Sequence, residues 1–369
     1  MKRFNRILRI FCAMLALLFC LGVSVGCSSS GEVVMELDGH SITANMYAFW
    51  LSRYKAFFVY YYMNNQDDAE MWDTPIDESG ATLNETFTGY VKENARTYVA
   101  ALCLYDEYGL KLSDSAKTEI EADLAELVSA AGSKSALNAE LANYAVNYNI
   151  LKEIYTIEAK VNQLQTYMFA KGGPNELTDA QKDEYYNATY ARIKHIFVST
   201  GAKYVTDERG DYLTDENGNY QTIDLTEEEK AAQKAKAEEI VNKLTAGEDF
   251  ETLLSTYTED TATEIYPNGY YFTRSSNYVD EVIEATFEME IDEWRLVESD
   301  LGYHIIKRLP LEEGGYDLNV NADFFSDFNS NLTVQAFTAA LDPYAEKVKV
   351  YDDVADLYSL KSVTANYQY

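Results

Sequence analysis

Ala191-Arg-Ile-Lys-His-Ile-Phe-Val198 and Gly302-Tyr-His-Ile-Ile-Lys-Arg308 both read as strands, and each carries one of the chain's three histidines, His195 and His304. Between them lies a patterned series. A helix runs from Thr226 to about Thr245, with Glu227, Glu228 and Glu229 in its first turn and Gly247 closing it. Phe250, Leu253, Leu254 and Tyr257 continue a short second helix. A loop, a Tyr270-Tyr271-Phe272 strand, a helical turn around Val279 to Met289 and a last strand pair complete a β-α-α-loop-β-α-β-β order. After the first strand comes a tandem eight-residue echo, Val205-Thr-Asp-Glu-Arg-Gly-Asp-Tyr212 and Leu213-Thr-Asp-Glu-Asn-Gly-Asn-Tyr220. It lacks the ligand spacing of a calcium loop and reads as two turn-rich hairpins.

Upstream, Lys171-Gly-Gly-Pro-Asn175 breaks a long helical region, and Leu177-Thr-Asp179 restarts a helix that runs to about Thr189. From Ala44 to about Lys171, apolar residues recur at three- and four-residue spacing, for example Ile120, Leu124, Leu127 and Val128. The stretch Tyr47 to Met63 holds too many aromatic residues for one buried helix stripe. It reads as core packing, with a partly open apolar groove for unfolded chains as its functional counterpart. Val33 to Leu37 reads as a short strand, Asp38-Gly39 as a turn and Thr43 as a helix N-cap. Residues 311–369 are acidic and helical in part, with Phe324, Phe328, Leu332, Ala336 and Leu341 at core spacing.

At the N-terminus, Lys2, Arg3, Arg6 and Arg9 precede an apolar run from Ile10 to Val25, the layout of a secretory signal. Val23-Ser-Val-Gly-Cys27 then has the form of a bacterial lipobox, so Cys27 is expected to carry lipid and to begin the mature chain. Residues 28–32 form a tether that reaches roughly 17 Å at most. The formal charge of the 369-residue chain is −31, and loss of residues 1–26 takes it to −35. Such a balance disfavours nucleic acid as a partner. Of four cysteines, Cys12 and Cys20 leave with the signal and Cys27 is the lipid site. Cys103 alone remains in the body, in an apolar helical setting where an inert thiol is expected.

Five pieces in order carry a family likeness: Ile193-Lys-His-Ile-Phe-Val198, Gly247-Glu-Asp-Phe250 leading to Tyr257-Thr-Glu-Asp260, Asn268-Gly-Tyr-Tyr-Phe272, Val282-Ile-Glu-Ala-Thr-Phe287 and Leu301-Gly-Tyr-His-Ile-Ile-Lys307. Residues 191–309 resemble the parvulin (PpiC) family of peptidyl-prolyl cis/trans isomerases, and the whole layout resembles the PrsA/SurA-type foldases. The resemblance implies an α+β fold in which a parvulin-like antiparallel sheet with surrounding helices, residues 189–310, is inserted between a helical chaperone-like domain, residues 33–188, and a C-terminal helical segment, residues 311–369, that packs back on that domain.

It further implies a catalytic group of His195, Asp260, Ser299 and His304, and a substrate wall of Tyr278, Val282 and Phe287 with Phe272. No cofactor and no metal are implied. Twisting an X-Pro amide needs neither: the barrier of about 18–20 kcal/mol comes from amide resonance, and about 4 kcal/mol of relief yields a thousandfold rate. Val282 stands where the family has a large aromatic, and the usual double glycine before the Tyr270 strand is reduced to Gly269. Few cations stand among the acids of residues 199–226, so phosphoserine-proline specificity is not expected. The expected function is a membrane-anchored extracytoplasmic foldase acting on unfolded, newly secreted proteins. The rival readings are a holdase with a weak or silent isomerase site, and a ligand-binding envelope lipoprotein.

Overall fold

The computed structural model describes residues 31–369 apart from 77, 78, 208, 210 and 211. The signal-like run, the lipobox with Cys27 and residues 28–30 of the tether lie outside the described residues. No described helix is long and apolar enough to cross a membrane. The described chain falls into two compact units, one of residues 31–177 with Ser330–Tyr369 and one of Thr178–Asn329.

The first unit opens with β1 (Val33–Leu37) and β2 (His40–Thr43), an antiparallel hairpin. The sequence reading has a single strand here. Asp38 and Gly39 both adopt positive φ, 47° and 86°, the two-residue turn that folds one strand back on the next. Helix α1 (Ala44–Tyr62) follows, then α2 (Leu83–Glu107), α3 (Asp114–Ala130), α4 (Lys134–Leu141) and α5 (Tyr148–Phe169). Thr82 and Glu85 form a reciprocal capping box at the start of α2, and Asn147 caps α5 through the amides of Asn149 and Ile150. Tyr47, Phe49, Trp50 and Phe58 of α1 are buried, whereas Tyr60 and Tyr61 at its end are 56% and 62% exposed.

The second unit begins with α6 (Asp179–Thr189), capped by a Thr178–Gln181 box. Strand β3 (Ala191–Ser199) leads to the short pair β4 (Lys203–Tyr204) and β5 (Thr222–Ile223). Within the tandem echo, isolated bridges join Thr206 to Tyr212 and Thr214 to Tyr220. The Asp215 carboxylate closes its turn on the amides of Asn217 and Asn219. The second echo's first acid is thus turn chemistry. Helices α7 (Glu227–Thr245) and α8 (Phe250–Tyr257), strand β6 (Tyr270–Phe272), helix α9 (Asp280–Glu288), and strands β7 (Trp294–Ser299) and β8 (Gly302–Leu309) follow.

The four long-range strands form an antiparallel sheet in the order β6-β3-β8-β7, with His195 opposite Ile306 and Phe197 opposite His304. Because side chains alternate across a pleated strand, each face has its own core. Ile196, Val198, Tyr303 and Ile305 pack against Ala237 and Ile240 of α7 and Phe250, Leu253 and Leu254 of α8. On the opposite face Ile193, Phe272, Val297 and Ile306 pack against Val282, Ile283 and Ala285 of α9.

The unit's borders fall at residues 177/178 and 329/330, outside the expected 188/189 and 310/311. An aromatic cluster explains the wider span. Tyr186 of α6 meets Tyr316 and Phe325 at ring separations of 5.3 and 5.6 Å, Tyr190 meets Phe325 at 4.8 Å, and Tyr271 of β6 meets Phe325 at 5.0 Å. Beyond it, α10 (Phe328–Ala345), β9 (Lys349–Val350) and α11 (Asp352–Ala355) follow. In the first unit Phe337, Leu341, Val348, Ala355 and Leu360 join the core, and β9 adds a third strand to β1. Phe325 and Phe337 are buried in the places the sequence reading gave to Phe324 and Ala336.

Candidate functional site

The sheet's alternation decides which polar residues meet. His195 and Phe197 of β3, His304 of β8, Ser299 of β7 and Tyr270 of β6 all project to the α9 side, in line with Ile193, Ile306, Val297 and Phe272. His195 and His304 are buried there, 3% and 1% exposed. Their rings lie nearly parallel with centroids 5.0 Å apart, and Phe197 stands within 5.6 and 4.9 Å of them.

Asp260 comes from the loop after α8. Its carboxylate caps a short 3-10 turn, accepting from the Ala262 amide at 3.0 Å, and the neighbouring Glu259 amide donates to the Phe197 carbonyl at 2.8 Å, which ties the loop to β3. Ser299 ends β7. Its Oγ accepts from the Leu301 amide at 3.1 Å within the turn that leads to Gly302.

These groups form one chain of hydrogen bonds. Asp260 Oδ2 lies 3.4 Å from His195 Nδ1, His195 Nε2 lies 2.9 Å from His304 Nδ1, and His304 Nε2 lies 2.7 Å from Ser299 Oγ. A carboxylate can only accept, which makes His195 Nδ1 a donor, and one consistent run of hydrogen bonds then gives each ring a single proton. His195 Nδ1–H donates to Asp260, His304 Nδ1–H donates to His195 Nε2, and the Ser299 hydroxyl donates to His304 Nε2. All four ring nitrogens are engaged, so neither histidine has one to offer a metal.

Burial, then the neighbouring His195, pushes His304 down to about 4. Burial would raise Asp260, but hydrogen bonds from His195, Tyr270 and the Ala262 amide outweigh it and hold the carboxyl below its ordinary value. The Tyr270 hydroxyl donates to Asp260 Oδ2 at 2.7 Å, and burial with that contact raises its own pKa. Sequence reading passed over Tyr270. The nearest signal is the residue before it, where the usual double glycine is reduced to Gly269. Gly269 itself has φ 101°, and a Cβ on it would stand 2.4 Å from the Ile193 carbonyl oxygen.

Of the expected substrate wall, Tyr278 stands 6.4 Å from His195, and Phe272 packs against Tyr278 at 5.1 Å. Burial pushes the Tyr278 hydroxyl up to about 12. Val282 is fully enclosed in the α9 core and has no open face. Phe287 has two guanidinium groups near its ring, Arg274 at 4.6 Å and Arg308 at 6.0 Å from its centroid.

A family model described as the PPIC-type PPIase domain matches residues 186–309. This stretch is a parvulin-type peptidyl-prolyl isomerase domain. The isomerase domain thus includes most of α6's last turn and all four strands of the site sheet. The chain is also 45% identical over 71 residues to the foldase protein PrsA of Halalkalibacterium halodurans, a match that covers 19% of this chain and 21% of that protein. It therefore spans about a fifth of the length of that curated relative. Crystal structures of PrsA from Bacillus subtilis and Bacillus cereus are each 19% identical to it. They align over 89% of this chain and 99% and 96% of theirs, with TM-scores of 0.25 and 0.29.

Proposed function

We propose that the protein is a foldase of the cell envelope, whose isomerase domain accelerates X-Pro isomerisation in unfolded clients. The hydrogen-bonded chain Asp260–His195–His304–Ser299, beside the Phe272 and Tyr278 rings, carries this reading. The two rings would hold the prolyl ring and strip water from its amide, while the hydrogen-bonded imidazole pair and the single carboxylate set a fixed field around the twisting bond. Neither nucleophile nor metal is needed. Acceleration of cis-to-trans conversion in short X-Pro peptides, lost on Asp260→Ala and His304→Ala, is the expected result. No acceleration by the folded, unmodified protein would overturn it.

One observation favours a second reading, a holdase with a weak site: Val282, enclosed in the core, presents no surface to a prolyl ring, while Tyr60 and Tyr61 are open on the helical unit. Suppression of client aggregation without isomerisation would select it.

We also infer that Cys27 carries the lipid that holds the protein at the extracytoplasmic face of the membrane, on the lipobox-like residues before it. Recovery of the Cys27→Ser chain in the soluble fraction, with the unmodified chain in the membrane fraction, is expected. Equal partitioning of the two would overturn the anchor.

A further inference from the structure

Arg274 and Arg308 are unusual cations in a chain with 61 acidic and 30 basic residues. Arg53, Arg192 and Arg295 each pair with a glutamate, at 2.8, 3.3 and 3.0 Å. Among the described residues, neither Arg274 nor Arg308 pairs with a carboxylate. Instead both guanidiniums are set about one ring, Phe287. Arg274 is exposed on the loop after β6, and Arg308 is half-buried at the end of β8, where its Nη1 is enclosed and has no hydrogen-bond partner.

A ring can hold a guanidinium by its face while the N–H edges stay free to donate, and that fork matches a carboxylate. The pair stands on the face of the sheet that bears the histidines. Arg308 is directly opposite Ile193, two residues along β3 from His195, and four residues along β8 from His304. At about 3.3 Å per residue these offsets are about 7 and 13 Å, two to four residues of an extended peptide. The chain's overall field repels acids, so an acid-binding point has to be local.

We propose that Arg274 and Arg308, set about Phe287, bind a carboxylate of the client chain two to four residues from the prolyl bond. This rests on the domain acting as an isomerase. The test is a series of amidated peptides in which one Glu or Gln is moved from four residues before to four residues after a single proline. Binding is read by fluorescence anisotropy and isomerisation by kcat/KM on the same protein. Glu is expected to exceed Gln about 3- to 10-fold at one or two positions, less at high salt, and the Glu-to-Gln ratio to fall to about one in Arg274→Gln and in Arg308→Gln. Arg274 is exposed on a loop, so its variant keeps the test alive if Arg308→Gln does not fold.

Isomerisation of the Gln peptides with no Glu advantage at any position sinks this inference and leaves the activity. A Glu advantage that survives Arg274→Gln also sinks it, as does an advantage confined to phosphoserine at the same positions. Arg274-dependent Glu binding by protein that isomerises nothing supports the docking point and removes the isomerase reading.

Discussion

At the scale of single residues, the site is a matter of who donates to whom. Ionised Asp260 at one end and the Ser299 hydroxyl at the other allow one consistent run of donors and acceptors through the two imidazoles. That arrangement ties stability to pH. Folding holds His304 unprotonated well below its ordinary 6.5, down to about 4. Between those values the unfolded chain binds a proton that the folded chain refuses. The stabilisation is therefore complete above pH 6.5 and is lost as pH falls toward 4. Between pH 7.5 and 4.5 the unfolding free energy from urea titration should fall further for the unmodified protein than for His304→Gln, by on the order of 2 kcal/mol. Equal falls would show that His304 is not the linked group.

At the scale of elements, the site depends on how closely β8 can approach β3. Gly302, at the tip of the β7–β8 turn, has φ 141°, and a Cβ there would lie 2.3 Å from the Val198 carbonyl oxygen and 2.8 Å from the Thr200 amide nitrogen. Side-chain-bearing residues avoid that backbone region, at a cost of about 1–3 kcal/mol. Gly302→Ala should destabilise the protein by at least that much and pull Ser299 away from His304, so thermal unfolding and peptide isomerisation should both suffer. A variant with unchanged melting would show that the turn has room to shift. The strand periodicity was open to sequence reading because it is local. The side of the sheet on which each histidine lands became visible only through the β3–β8 register.

At the scale of the whole molecule, the isomerase unit needs more chain than its strands. Tyr186, Phe325 and Phe328 are 2%, 6% and 1% exposed, and all three lie outside residues 189–310. Full burial of such a ring stabilises by about 1.5–3 kcal/mol. A fragment of residues 178–329 should therefore unfold at a clearly higher urea concentration than one of residues 189–310, with an unfolding free energy greater by about 5 kcal/mol or more. Equal midpoints would show that the aromatic cluster contributes nothing to this unit.

By itself the sequence determined the element order of residues 191–309, the helix starts at Thr178 and Thr226, and the identity of His195, Asp260, Ser299 and His304 as a group. Capping, periodicity and turn chemistry act within a few residues, and the family's motifs lie in short segments. Only the tertiary structure decided the second strand of the opening hairpin, Tyr270's bond to Asp260, the enclosure of Val282, the pairing of Arg274 with Arg308 about Phe287, and the wider borders of the isomerase unit. Each of these depends on which distant side chains meet once the strands are in register, and no local pattern in the chain encodes that.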